Sequence, residues 1–288
     1  MQSKRKDLVK SVMIADALSF GSHWVYDTEK LADNYSGIIK KYTTPMSKFH
    51  ESKKAGDLSH YGEQAFALLQ SISDHQGFDL KEFRDDWVEY LENNEMYMDH
   101  AMKDSLEKFK GSDTLIGAEN VELGGISRSL SVFIEEEISK KEFLDLIHLT
   151  HNGEVVDQTA EFVFNVIQEV LAGKDYKKAI EDNKGINQFV EESFKKIGSK
   201  GKIVANADDR GQGCSIKQGF PIVLDVLWNA DNILEALTLN IMAGGDTSAR
   251  AMVIAAVISA AEGLNSIPEK LTTGFNKSAA VNELLAQN

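Results

Sequence analysis

The sequence predicts an all-α fold, on three observations. Apolar residues recur at helical spacing along most of its 288 residues, few runs alternate with period two, and only three prolines interrupt the chain. At 42% hydrophobic residues, it has enough apolar surface for one large core or two small ones. No repeat, low-complexity tract or linker divides it, so residues 1–288 read as a single domain.

The elements follow in order. Leu8, Val12, Ala15, Ala17 and Leu18 form an apolar stripe that predicts an opening helix. Residues 64–72 and 143–149 repeat that pattern. Between residues 155 and 171 the stripe runs through Val163, Val166, Ile167 and Val170, and Gly173 supplies a stop. A helix is expected from Pro221 to Trp228, where proline suits a first turn. Another is expected over residues 232–243, with Asp231 as N-cap. Residues 249–261 are apolar all round and predict a helix buried on most sides. The stretch 198–213 is the most loop-like, and loops on a rigid scaffold commonly carry a site.

Charge narrows the function. Lys and Arg number 31 against 45 Asp and Glu, for a formal net charge of −14. Such a chain is repelled by nucleic-acid phosphates and by anionic membrane surfaces. Aromatic residues make up 8%, and no stacking platform for single-stranded nucleic acid stands out. The basic-then-apolar start resembles a signal peptide, but Lys10 and Asp16 interrupt it and no cleavage site follows. It reads as the first helix of a cytoplasmic protein, with no membrane span. One cysteine, Cys214, excludes an intrachain disulfide framework. Beside Arg210 its thiol is either activated or simply a small buried hydrophobe.

The sharpest local feature is Ala243-Gly244-Gly245-Asp246-Thr247-Ser248-Ala249. Two glycines permit a tight turn, and Asp246 then stands where a helix begins. There a carboxylate either caps the helix or points its oxygens at a cation. Other candidates are His23 and His60, as metal ligands or ordinary polar residues; Trp24 and Tyr26, as stacking or core aromatics; Glu119 and Glu122, as cleft or solvated carboxylates; and the run 135–137, which reads as an exposed helix end. Asp208-Asp209-Arg210 reads as a surface turn.

Taken in order, these segments resemble the ADP-ribosylglycohydrolase family. Met13–Leu18 resembles its N-terminal helix, Gly124-Gly125-Ile126-Ser127-Arg128 its Gly-rich phosphate-contacting stretch, and Thr150-His151-Asn152 its Thr-His element. The segment 227–263 resembles its C-terminal signature. The resemblance implies an orthogonal helical bundle with a pair of Mg²⁺ ions in a central cleft. It also implies hydrolysis of the bond between ADP-ribose and a protein side chain. Magnesium binds carboxylates and waters.

The sequence departs from the family at both metal motifs. The best match to the first Asp-Asp pair is Tyr61-Gly62-Glu63-Gln64, with Glu63 the only carboxylate. In the second, Asp246 remains while Ser248 and Ala249 replace the second Asp and Thr. The expected centre is therefore degenerate, holding one Mg²⁺ or none. On this reading Glu63 and Asp246 are catalytic and, with Thr247, metal-binding, with His23 and His60 as weaker ligands. Gly124, Gly125, Arg128, His151 and Thr247 contact an ADP-ribosylated or small-molecule substrate. The pattern around residues 61–64 and 211–215 is similar to the branch holding jellyfish J-type crystallins and selenoprotein J. That branch implies a second reading, a structural or ADP-ribose-binding protein without activity. Oligomeric state is not legible.

Overall fold

The computed structural model describes residues 2–199 and 211–288. The core forms around two helices that are buried on all sides over most of their length. Helix α1 (Gln2–Phe20) buries every residue from Ser11 onward. It packs most extensively on a helix from the far end of the chain, Thr247–Glu262, whose residues are all buried as far as Ala260. The first helix thus exceeds its expected stripe: Ser11 and Asp16 are buried with Leu8 and Val12. The later helix is surrounded, as its all-round apolarity requires.

Amphipathic helices wrap this pair. They are α2 (Thr28–Asn34), α3 (His60–His75), α4 (Leu80–Asn93), α5 (His100–Phe109), α6 (Gly124–Ser129), α7 (Lys140–His148), α8 (Glu154–Leu171), α9 (Tyr176–Asn183) and α10 (Gln188–Phe194). Then follow α11 (Ile216–Asn229), α12 (Ile233–Met242), the central α13 (Thr247–Glu262), α14 (Glu269–Thr272) and α15 (Ser278–Gln287). Among the described residues there is no strand, only two isolated bridges, Val25 to Gly245 and Glu122 to Ser215.

Local chemistry accounts for most boundaries. Ser59 caps α3, and Ser139 and Glu142 form a reciprocal capping box on α7. Gly173, at φ +102°, follows the end of α8 as expected. Three boundaries differ from expectation. Helix α11 starts five residues before Pro221, which lies inside it. Asn232 rather than Asp231 caps α12, because Asn232 is the extended residue whose side chain reaches the Glu235 N–H. Residues 135–137 follow a short 3₁₀ turn, Leu130–Ile134, and are not an exposed helix end. The buried Arg5 guanidinium gathers the Phe133, Glu135 and Glu136 carbonyls there. Most of the loop expected at 198–213, including Asp208-Asp209-Arg210, lies outside the described residues.

Candidate active site

The site is built on the turn that feeds α13. Gly244 and Gly245 both sit at φ +71°, in the left-handed region. A β-carbon on Gly245 would lie 2.0 Å from the Gln212 carbonyl. The turn is clamped from two directions. The Trp24 N–H donates to Gly245 O (2.8 Å) and the Gly245 N–H to Val25 O (2.7 Å). The Asp246 N–H donates to Gln212 O (3.0 Å), and Gln212 Nε2 donates to Ala243 O (2.7 Å).

This clamp decides between the two roles open to Asp246. Its side chain makes no capping hydrogen bond to α13. It points instead at His23, with Oδ1 3.4 Å from Nδ1. The residue is 1% exposed, and its carboxylate has only weak polar contacts, with the Ala249 N–H and the Cys214 thiol. Burial raises its pKa to about 6, against the opposing pull of the Arg250 guanidinium.

Three histidines gather beside it. His23 lies in the turn after α1, His50 ends a 3₁₀ turn (Lys48–His50), and His60 opens α3. All three are buried, and one ligand atom from each lies within 4.8 Å of the other two. Burial, reinforced by the neighbouring His60, holds His23 well below the ordinary imidazole pKa and lowers His50 to about 3. Those two rings are therefore neutral at pH 7. Asp99, the N-cap of α5, accepts from the Met102 N–H and lies 3.4 Å from His60 Nε2.

Aromatic rings close over the cluster. Trp24 stacks on His23 at 4.4 Å and on His50 at 5.0 Å, and meets Tyr97 and Phe49 edge-on. Its backbone is at φ +59°, unusual for a bulky residue. Such strain costs on the order of 1–3 kcal/mol and clusters at functional sites. Tyr26 and Phe49 are half exposed at the rim. Glu122 is half-buried, and its pKa rises to about 7 through burial and the Asp99 and Asp246 carboxylates. Glu119 is exposed. Cys214 is not an activated thiol: burial, then Asp246 and Glu122, push its pKa well up.

The other sequence-predicted residues are placed as follows. Glu63 is not joined to Asp246 by any described contact. Its Oε2 accepts from the Tyr90 hydroxyl (2.6 Å) and pairs with Lys277 (3.2 Å), while Oε1 pairs with Lys53 (3.6 Å). Thr247 donates to Ser19 O and accepts from Ser22, which ties α13 to the end of α1 rather than to a metal. Arg128 reaches α7. It is buried and donates to the Leu146 and Ile147 carbonyls of α7. His151 is buried, with Nδ1 on the Thr150 hydroxyl at 2.7 Å. Gly124 and Gly125 let rings approach α6, since β-carbons there would meet Tyr61 at 2.3 Å and His151 at 2.5 Å. His50 and Asp99 were not expected, because neither lies in a segment whose local pattern marks a site. Only the fold brings them to His60.

The family model described as ADP-ribosylglycohydrolase matches residues 3–287. The chain belongs to the ADP-ribosylglycohydrolase family. Crystallin J1A of Tripedalia cystophora is 21% identical to it, over 93% of this chain and 90% of that one. Crystallin J1B of the same organism is 20% identical over the same shares. A solved structure described as an ADP-ribosylglycohydrolase-related protein complex superposes with a TM-score of 0.79 at 16% identity, covering 99% of this chain and 96% of that one. The all-α architecture is therefore that of the ADP-ribosylglycohydrolase fold. In this member, however, the donors do not suit a magnesium pair. The buried cluster offers three imidazoles with Asp246 and Asp99 beside them, whereas Mg²⁺ takes oxygen ligands and keeps several waters.

Proposed function

We propose that the chain is a hydrolase of an N- or O-glycosidic bond of ADP-ribose or a related nucleotide-sugar, with Asp246 as its central catalytic group. One observation carries this reading: Asp246 stands at the family's Gly-Gly-Asp turn, buried beside three histidines and held only by weak polar contacts rather than by a capping bond to α13. A carboxylate with a pKa of about 6 is largely ionised at neutral pH, yet basic enough to take a proton from an attacking water. Glu122, at about 7, is partly protonated there and suited to protonating the leaving group. Two carboxyl groups whose surroundings give them different proton occupancy match what glycosidic hydrolysis needs. Tyr26, Phe49 and Trp24 at the rim offer faces for an adenine ring.

Residues around this pair support it from behind. Glu63, held by Tyr90, Lys53 and Lys277, fixes the first turn of α3 that carries His60. Thr247 orients the start of α13, and Gly124, Gly125, Arg128 and His151 shape the wall against Tyr61 and α7. No step is routed through magnesium.

The test is turnover of N-linked and O-linked ADP-ribose conjugates. Asp246→Asn, nearly isosteric, is expected to lower kcat by about 100-fold or more while the fold survives, since the general-base contribution disappears. Equal turnover by wild type and variant would overturn the assignment. The full-length similarity to crystallins J1A and J1B favours a second reading, a non-catalytic ADP-ribose binder or structural protein. Calorimetry separates the two: ADP-ribose binding without turnover of any conjugate points to a binder, and neither binding nor turnover to a structural role.

A further inference from the structure

The three buried histidines, unlike the carboxylate chemistry above, need not act on a substrate at all. We propose that His23, His50 and His60 form the binding site of a single divalent transition-metal ion of the zinc class, with Asp246 beside its open position. This stands independently of the hydrolase reading.

Four observations converge. The three rings arrive from separate parts of the chain, yet one ligand atom from each lies within 4.8 Å of the other two. Tetrahedral zinc sites have Zn–N distances of about 2.0–2.1 Å, hence N···N separations of about 3.3 Å, so side-chain movements of about 1 Å or less would close the site. Next, each ring has a buried nitrogen without a hydrogen bond among the described residues: His23 Nε2, His50 Nε2 and His60 Nδ1. A buried polar atom left without a partner is destabilising, so a ligand that pairs with several at once is favoured.

The third observation is outer support. Asp99 lies 3.4 Å from His60 Nε2, which leaves Nδ1 of that ring as the metal donor. A carboxylate on one ring nitrogen fixes the imidazole and makes the other nitrogen a better metal donor. The last is selectivity. Imidazole suits zinc, copper, iron and nickel, and a three-nitrogen site with one adjacent carboxylate leaves magnesium poorly served. Trp24, stacked on His23 and His50 from a left-handed backbone, holds two of the three rings where a metal needs them.

The experiment uses the full chain, stripped with a chelator and titrated with Co²⁺ and Zn²⁺. Wild type is expected to take up one equivalent of Co²⁺, with the intense visible absorption of a four- or five-coordinate ion, displaced by Zn²⁺ but not by excess Mg²⁺. His50→Gln is expected to bind at least roughly 100-fold more weakly, since losing even an outer-shell partner costs 10- to 100-fold. Folding of the variant is checked by circular dichroism. His23→Asn provides a second variant, and the Zn²⁺-induced rise in wild-type Tm gives a reading that needs no variant. The proposal is overturned if wild type binds no stoichiometric Co²⁺ and gains no Tm with Zn²⁺. It is also overturned if Mg²⁺ displaces the ion, or if folded His50→Gln and His23→Asn variants bind as tightly as wild type.

Discussion

Asp16 shows how one residue can tie local chemistry to stability. It lies mid-way along α1, fully buried, and accepts from the Ser59 N–H (2.7 Å) and hydroxyl (2.5 Å). It thereby fixes the residue that caps α3 and, next to it, His60. Gly62 gives it room, since a β-carbon there would lie 2.0 Å from Oδ2. Burial outweighs the Ser59 hydrogen bonds and raises its pKa from 3.8 to about 7. The folded state thus holds this proton more tightly than the unfolded one. Its cost to stability is absent below about pH 4, grows between pH 4 and 7, and is complete above. Asp16→Asn, which keeps an acceptor for Ser59, should therefore gain on wild type as pH rises. Urea unfolding should show near parity at pH 4 and, at pH 8, an advantage on the order of 4 kcal/mol. A pH-independent difference would contradict this account.

At the scale of elements, the close approaches matter more than the helices themselves. The Gly244-Gly245 turn, the α6 start at Gly124-Gly125 and the Ser59 cap each bring backbone against a side chain or a second backbone. Gly245→Ala would put a methyl group 2.0 Å from the Gln212 carbonyl at φ +71°, combining a clash with left-handed strain. A loss of about 2–4 kcal/mol is expected from the two effects together. Gly185→Ala, which meets nothing within 4 Å, is the control and should change stability by less than about 0.5 kcal/mol. Comparable losses at the two positions, measured by chemical denaturation, would remove the argument. At the first two residues of α6, Gly124 and Gly125 leave room for the Tyr61 and His151 rings, while the pair before α13 makes the expected turn.

Across the whole molecule, the α1–α13 pair joins the first and last thirds of the chain, and most other helices pack on one or both. Ile14, with no exposed surface in that interface, is a point where the entire core is felt. Ile14→Ala should cost about 2–5 kcal/mol. If the chain is one cooperative unit, calorimetry and circular dichroism should give a single coincident transition in both proteins, shifted down in the variant. Two separable transitions would divide the chain into more than one domain. No helix among the described residues is long and apolar enough to cross a membrane.

The sequence by itself determined the helices, their approximate order and the Gly-Gly-Asp turn. These depend on neighbours within a few residues: apolar spacing, caps, and glycines that accept positive φ. Family membership followed from the order of such local segments. Only the tertiary structure decided which side chains meet. On α3, His60 and Glu63 are separated by about 4.5 Å along the axis, yet His60 enters the histidine cluster and Glu63 joins Tyr90 and two lysines. Arg128 and Thr247, which suit a phosphate or a metal by type, satisfy helix-end carbonyls instead, because burial leaves few other acceptors within reach. His50, Asp99 and Glu122 carry no local signal. Their proximity is set by how helices cross, a property of the whole core that no short stretch encodes.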